Sequence, residues 1–200
     1  MRPIDSAMGG RQHQMKELPR LWLVTDERQG DALLSSVAAL PEGSGILFRH
    51  YRTGAAERFA LYRQVRNIAS NTGHILLLSD TVANAYRWHA DGVHLPSFVK
   101  NKRIMARYAR QRNLLVSASA HDEAEVRMAQ AVADFIFVSP IFPTRSHPGQ
   151  DTLGLEGFTA LARRTWKPII AMGGMNALKF NKLAGSGAYG WAAIDALTQA

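Results

Sequence analysis

A loop rich in hydrogen-bond donors stands between prolines in the last third of the chain. It spans residues 142–149 and carries Thr144, Arg145, Ser146 and His147. Hydroxyl, guanidinium and imidazole groups all donate hydrogen bonds to anions, and the prolines restrict the backbone that presents them. Such a loop could close over a pyrophosphate, although a polar surface loop has the same composition.

Two adjacent glycines, Gly173 and Gly174, follow a short apolar run. Glycine lets backbone N–H groups approach an anion closely, and a helix that begins after the pair adds positive potential. A simple turn of the chain would also use glycine. The pair predicts a phosphate-binding turn if the fold places it at the mouth of a pocket.

Titratable side chains follow other apolar runs. Asp80 could hold Mg²⁺, which takes one or two protein carboxylates together with substrate phosphates, or it could cap a helix that begins near Val82. His121 could act as an acid or a base, whereas His94 lies inside an apolar run and is expected to be packed.

The apolar runs that precede these residues recur along the whole chain. They cover residues 21–25, 45–49, 74–79, 91–95, 114–118, 134–138, 168–172 and 189–194. Each is apolar on both faces, as buried parallel strands are, and helix-like segments lie between them. A doubly wound open sheet would show the same alternation, but eight strands in a compact repeat favour a (β/α)₈ barrel.

Two of the connecting segments have a helical apolar face. Residues 55–72 carry Phe59, Tyr62, Val65 and Ile68 at near-helical spacing. Residues 100–112 carry Ile104, Met105, Tyr108 and Ala109, with basic residues elsewhere. Both segments are predicted to be helices that pack on the barrel through these residues.

The chain is basic, with a net charge of +8, and much of the excess lies in residues 100–112. Positive charge attracts anions such as phosphate esters. A nucleic-acid surface is disfavoured because no aromatic residues alternate with the basic ones. The segment is expected to be a barrel helix with a solvated basic back.

Length and composition indicate a single compact α/β domain. The chain has 200 residues, of which 46% are hydrophobic. Residues 1–19 are expected to be a polar N-terminal extension, and residues 20–200 the barrel. The lack of cysteine excludes thiolate zinc sites and fits a reducing, cytoplasmic setting. No apolar run is long enough to span a membrane. The oligomeric state is left open, including a homo-oligomer.

In a (β/α)₈ barrel the carboxyl ends of all strands open on one face, where the active site lies. Polar residues that are distant in sequence then become neighbours. We therefore expect Arg49, Asp80, His121 and His147 to face one mouth.

The motifs taken together resemble the thiamine-phosphate synthase and thiazole tautomerase superfamily. They are LVTD at 23–26, GVHL at 92–95, SAH at 119–121, DFIFVSPIFPT at 134–144, IAMGGM at 170–175 and GAYGWA at 187–192. The resemblance covers residues 21–197 and implies a TIM barrel. It also implies a transferase of thiamine biosynthesis, which joins hydroxymethylpyrimidine pyrophosphate to thiazole phosphate and releases pyrophosphate.

The resemblance implies roles for individual residues. Catalytic roles fall on Arg49, Ser119, His121 and His147. Substrate binding falls on Thr144, Arg145, Ser146, Gly173 and Gly174, and metal binding on Asp80. The implied partners are phosphorylated pyrimidine and thiazole substrates, with Mg²⁺ as the cofactor.

Several positions depart from the family pattern. Tyr51 and His147 stand where lysines are expected, and Ser79 replaces an asparagine. Val99 replaces the second metal-binding aspartate, and Asp195 replaces a serine at the last phosphate turn. These departures leave two alternatives open. One is an isomerase like thiazole tautomerase, and the other is a non-catalytic binder of thiamine precursors or of another anionic partner.

Overall fold

The computed structural model describes residues 17–146, 149 and 151–199, and its centre is a closed barrel of eight parallel strands in chain order. The strands are β1 (Leu21–Val24), β2 (Gly45–Phe48), β3 (Ile75–Leu78), β4 (Gly92–Leu95), β5 (Leu115–Ala120), β6 (Phe135–Val138), β7 (Ile169–Met172) and β8 (Ala188–Ala193). All eight predicted strands are present. The prediction of a TIM barrel is confirmed, and the open sheet is excluded.

Helices connect the strands around the outside of the barrel. They are α1 (Ala32–Ala38), α2 (Ala55–Asn71), α3 (Val82–Arg87), α4 (Lys102–Arg110), α5 (Glu123–Gln130), α6 (Gly154–Ala162) and α7 (Ala177–Asn181). Short 3₁₀ helices follow β1 (Glu27–Gln29) and β8 (Asp195–Leu197). In the part of the chain that the structure describes, the eighth repeat therefore ends in a single 3₁₀ turn. No helix in this part combines the length and the apolarity needed to cross a membrane.

An aromatic cluster fills the inside of the barrel. The Trp22 ring lies 5.1 Å from the Phe135 ring and 5.5 Å from the Phe137 ring, measured between centroids. All three side chains are fully buried. Gly45 on β2 lies beside Trp22 in the β1–β2 register, and a Cβ at this position would overlap the indole ring. The indole ring can occupy this part of the interior because β2 carries a glycine, with no side chain, beside it.

Helix α2 packs on the barrel largely as its spacing predicts. Tyr62 and Val65 are buried, whereas Phe59 keeps 38% of its surface exposed. The buried face also includes Arg58, which is only 8% exposed. A buried arginine needs partners for its charge, and these partners lie at the ends of β2 and β3.

The predicted apolar face of α4 is wrong in part. Ile104 and Tyr108 are 56% and 53% exposed, whereas Ala109 is buried as predicted, together with Ala106. Small alanine side chains let the helix lie close to the strands. The larger residues are then left on its outer side.

The segment before β1 packs against the amino ends of the strands. The backbone N–H of Trp191 donates to the carbonyl of Arg20 at 2.8 Å, and the Tyr189 hydroxyl donates to the carbonyl of Leu18 at 2.7 Å. The indole N–H of Trp22 donates to the carbonyl of Pro19 at 2.8 Å. Of the predicted 1–19 extension, residues 1–16 lie outside the described residues.

The packing of Gly45 against Trp22 generates a stability prediction. Gly45→Ala forces a methyl group into the indole ring, so we expect the free energy of unfolding to fall by about 1–3 kcal/mol, as overpacking in cores does. Urea denaturation monitored by tryptophan fluorescence measures this change. Gly54→Ala is the matched control, because a Cβ there meets nothing within 4 Å. Equal stability of the two variants would contradict the packing argument.

Candidate active site at the carboxyl ends of the strands

A cavity of 340 Å³ opens at the carboxyl ends of the strands. Its lining includes seven residues named from the sequence: Arg49, His121, Thr144, Arg145, Ser146, Gly173 and Gly174. Ser119 and Asp80 are not among its lining residues. His147 lies outside the described residues, so its predicted position stays untested. Of the four residues expected to face one mouth, Arg49 and His121 line this cavity, and Asp80 lines a neighbouring cleft.

Arg49 follows β2 and is held by residues that follow β1. Its backbone N–H donates to the Thr25 hydroxyl at 3.0 Å, and its guanidinium contacts the Asp26 carboxylate at 3.4 Å. Its Nε is buried and has no hydrogen-bond partner among the described residues. A buried N–H without an acceptor is costly. Arg49 therefore has a donor available for an anionic ligand.

The two glycines form the tight turn expected after β7. Gly173 and Gly174 have positive φ angles of 92° and 60°. A Cβ on Gly173 would come within 2.7 Å of the Pro140 Cα, and one on Gly174 would overlap the Pro143 carbonyl oxygen. Close packing against the loop after β6 thus requires glycine at both positions. The structural and the anion-binding explanations of this pair are compatible.

Arg28 joins three parts of the mouth, and the sequence reasoning missed it. Its guanidinium donates to the Asp26 carboxylate at 2.8 Å and to the Ser146 hydroxyl at 2.9 Å. It also lies 3.7 Å from the Asp195 carboxylate. Burial alone would raise the pKa of Asp26, but the hydrogen bonds and charge of Arg28, with the charge of Arg49, hold that pKa below its usual value. No spacing pattern marks Arg28, since Ser146 and Asp195 are remote in sequence.

His121 lies in the cavity wall with one ring nitrogen fixed. Its Nδ1 is 2.6 Å from the backbone carbonyl of Ser139. Because a carbonyl only accepts, Nδ1 carries the proton and Nε2 of the neutral ring is an acceptor. The arrangement suits a general base.

Ser119 belongs to a buried network inside the barrel. His94 lies between two hydroxyls, with Nδ1 2.9 Å from Ser117 Oγ and Nε2 2.9 Å from Ser119 Oγ. Complete burial lowers the pKa of His94 to about 3, with the charges of Arg49 and Lys102 acting in the same direction. His94 is packed, as expected. In this structure the Ser119 hydroxyl is hydrogen-bonded to His94. The predicted contact of Ser119 with pyrophosphate stays a prediction.

The Asp80 carboxylate is surrounded by protein donors. One oxygen pairs with the Arg58 guanidinium. The other accepts from the Thr81 N–H at 2.6 Å and from the Asn84 side chain at 3.0 Å. Among the described residues, no three His, Cys, Asp or Glu side chains cluster as metal ligands would. These contacts do not fit a Mg²⁺ ligand set at Asp80.

The buried network of His94 generates a pH prediction. Its folded pKa lies below the unfolded value of about 6.5, so only the unfolded chain takes up the proton as pH falls. The free energy of unfolding should therefore fall by about 2 kcal/mol from His94 alone between pH 7 and pH 5. His94→Asn should remove this part of the pH dependence, measured by urea unfolding at both pH values. The exposed His89→Asn is the control. An unchanged pH dependence in His94→Asn would contradict the assignment.

The Asp195 carboxylate generates a binding prediction. It lines the cavity beside the glycine turn and shares Arg28 with Asp26. Asp195→Ser removes a negative charge and leaves Arg28 freer to bind an anion. We expect the affinity for inorganic phosphate to rise about tenfold, measured by calorimetry at low salt. Glu42→Ser makes the same charge change before β2, at the opposite end of the barrel, and should leave the affinity unchanged. Equal gains in both variants would mean that only net charge matters.

Comparisons with known proteins agree with this geometry. The family model described as "Thiamine monophosphate synthase" matches residues 21–197. A thiamine-phosphate synthase from Vibrio campbellii is 30% identical, with 90% of this chain and 91% of that protein covered. One from Nostoc punctiforme is also 30% identical, but 98% of this chain spans only 56% of that protein. The structure of thiamine phosphate pyrophosphorylase from Pyrococcus furiosus superposes with a TM-score of 0.75 at 25% identity, covering 88% of this chain and 85% of that one. The chain therefore belongs to the thiamine monophosphate synthase family.

Proposed function

We propose that this chain catalyses the thiamine-phosphate synthase reaction. Hydroxymethylpyrimidine pyrophosphate loses pyrophosphate when its carbon–oxygen bond ionises, and the nitrogen of thiazole phosphate then attacks the pyrimidine methylene carbon. The observation that carries the proposal is the Arg49 Nε, which has no hydrogen-bond partner in the described part of the chain and belongs to a cavity that Arg145 and Ser146 also line. Family membership supports the same reaction.

The proposed roles follow from where charge develops during the reaction. Negative charge grows on the departing pyrophosphate, and fixed cationic donors stabilise such charge. Arg49 and Arg145 supply that charge, while Thr144 and Ser146 supply hydroxyl donors. The turn at Gly173 and Gly174 offers backbone N–H groups to the thiazole phosphate. No step of this proposal passes through a metal ion, because the contacts of Asp80 do not fit one.

An isomerase is the second candidate, and His121 is the observation that favours it. Moving a double bond within a thiazole ring requires a base that removes a proton and an acid that returns one. His121 has its Nδ1 fixed by the Ser139 carbonyl, so its Nε2 can exchange a proton with a ligand in the cavity. This activity needs no pyrophosphate site.

A turnover experiment separates the two candidates. The wild-type chain, given both thiamine precursors, should release pyrophosphate and form thiamine phosphate. Arg49→Gln should lower kcat/KM about 100-fold, because one preorganised charged donor is lost at the leaving group. Arg87→Gln on the outer helix α3 is the control and should keep full activity. Isomerisation of the thiazole tautomer without any pyrophosphate release would contradict the transferase activity and support the isomerase activity.

A further inference from the structure

The turn that carries Arg49 is held by a second arginine, Arg58. The Nε and Nη2 atoms of Arg58 donate to the backbone carbonyl of Arg49 at 3.0 and 2.8 Å, and Nη2 also donates to the carbonyl of Ser79 at 3.1 Å. Its Nη1 pairs with the Asp80 carboxylate. Arg58 thus connects the end of β2 to the end of β3 directly behind the residue proposed to bind pyrophosphate.

The position of Arg58 is fixed on all sides. The side chain is 10% exposed, and its guanidinium carbon lies 5.4 Å from the Trp88 ring centroid and 5.7 Å from that of Phe48. Removing Asp80 from such a pair leaves a buried positive charge without its counter-ion, which is strongly unfavourable. A metal ion at Asp80 would have to displace Arg58 and would leave the buried guanidinium without its counter-ion.

In the described part of the chain, the wall of the cleft beside the pair holds no carboxylate other than Asp80. This cleft of 570 Å³ includes Tyr51, Phe98 and Val99 in its wall, together with Arg58 and Asp80. The Tyr51 hydroxyl is bonded to the Ser79 hydroxyl at 2.5 Å. Mg²⁺ prefers carboxylate oxygens and water, and an arginine already in contact with the one carboxylate repels it.

We propose that Asp80 acts through Arg58 and not through a metal ion: the Arg58–Asp80 pair is a positioning device that holds the Arg49 turn, so that pyrophosphate binds without a divalent cation coordinated by the protein. The inference rests on the proposed function, since it concerns the same pyrophosphate site. Arg58 carries the positive charge that would otherwise come from a metal at this side of the mouth. Arg49 remains the group that contacts the ligand.

The first test measures metal binding to the free, full-length protein. Mn²⁺ serves as a spectroscopic substitute for Mg²⁺, and its electron paramagnetic resonance signal reports bound against free ion. We expect no saturable one-to-one binding by the wild type. Saturable binding that disappears in Asp80→Asn would overturn the proposal, whatever the chain's activity.

The second test measures pyrophosphate binding by each variant with and without the metal ion. Inorganic pyrophosphate is titrated into wild type, Asp80→Asn, Arg58→Gln and the double variant, each in EDTA and in Mg²⁺. Each single variant should weaken binding about tenfold in both buffers, and the double variant should be no weaker than either single one, because the pair acts as a unit. Asp122→Asn, at the helix that follows β5, is the control and should bind as the wild type does.

The outcomes distinguish this inference from the proposed function. A loss in Asp80→Asn that occurs only in Mg²⁺ would identify Asp80 as a metal ligand and overturn the positioning role. Thermal unfolding of each variant checks that the fold is kept, and Arg58→Lys provides a milder change if Arg58→Gln does not fold. If the wild type binds no pyrophosphate in either buffer, both the proposed function and the pyrophosphate role of the pair fail, while the Mn²⁺ result still decides whether Asp80 holds a metal.

Discussion

Closure of the eight strands depends on filling the space that they enclose. Trp22, Phe135 and Phe137 supply most of the aromatic volume, and Gly45 leaves room for the indole ring. With this interior filled, the strand ends are fixed relative to one another. The residues that follow those ends can then hold a cavity whose walls come from β2, β5, β6, β7 and β8.

The charges at the mouth are mostly paired with one another. Arg28 is shared by two carboxylates, and Arg58 is matched by Asp80. These paired arginines therefore add little net charge to the mouth, and the arginines in the described cavity wall are Arg49 and Arg145. Arg49 also contacts Asp26, but its buried Nε has no acceptor among the residues that the structure describes. Binding of an anion would depend on these few donors more than on the overall charge.

The strands and the mouth could be predicted from the sequence, and the charge network could not. Buried parallel strands are apolar on both faces, and this local signal located all eight. Part of the α4 face was wrong because the large side chains of Ile104 and Tyr108 were expected to pack, whereas the small Ala106 lies against the barrel beside the predicted Ala109. Arg58 and Asp80 are separated by 22 residues, and Arg28 and Ser146 by 118. Such pairs become visible only when the strand ends are placed in space.

The link from Arg28 to Asp195 has a consequence for how this mouth can change by mutation. The loops after β1, β6 and β8 meet on one guanidinium, so a substitution at any of them alters the environment of the other two. Replacing Arg28 first would leave Asp195 without the guanidinium beside it and Asp26 with Arg49 alone, whereas replacing Asp195 first would leave Arg28 still paired with Asp26. A lineage that loses the aspartate therefore has a preferred order of steps, with position 195 changing before position 28.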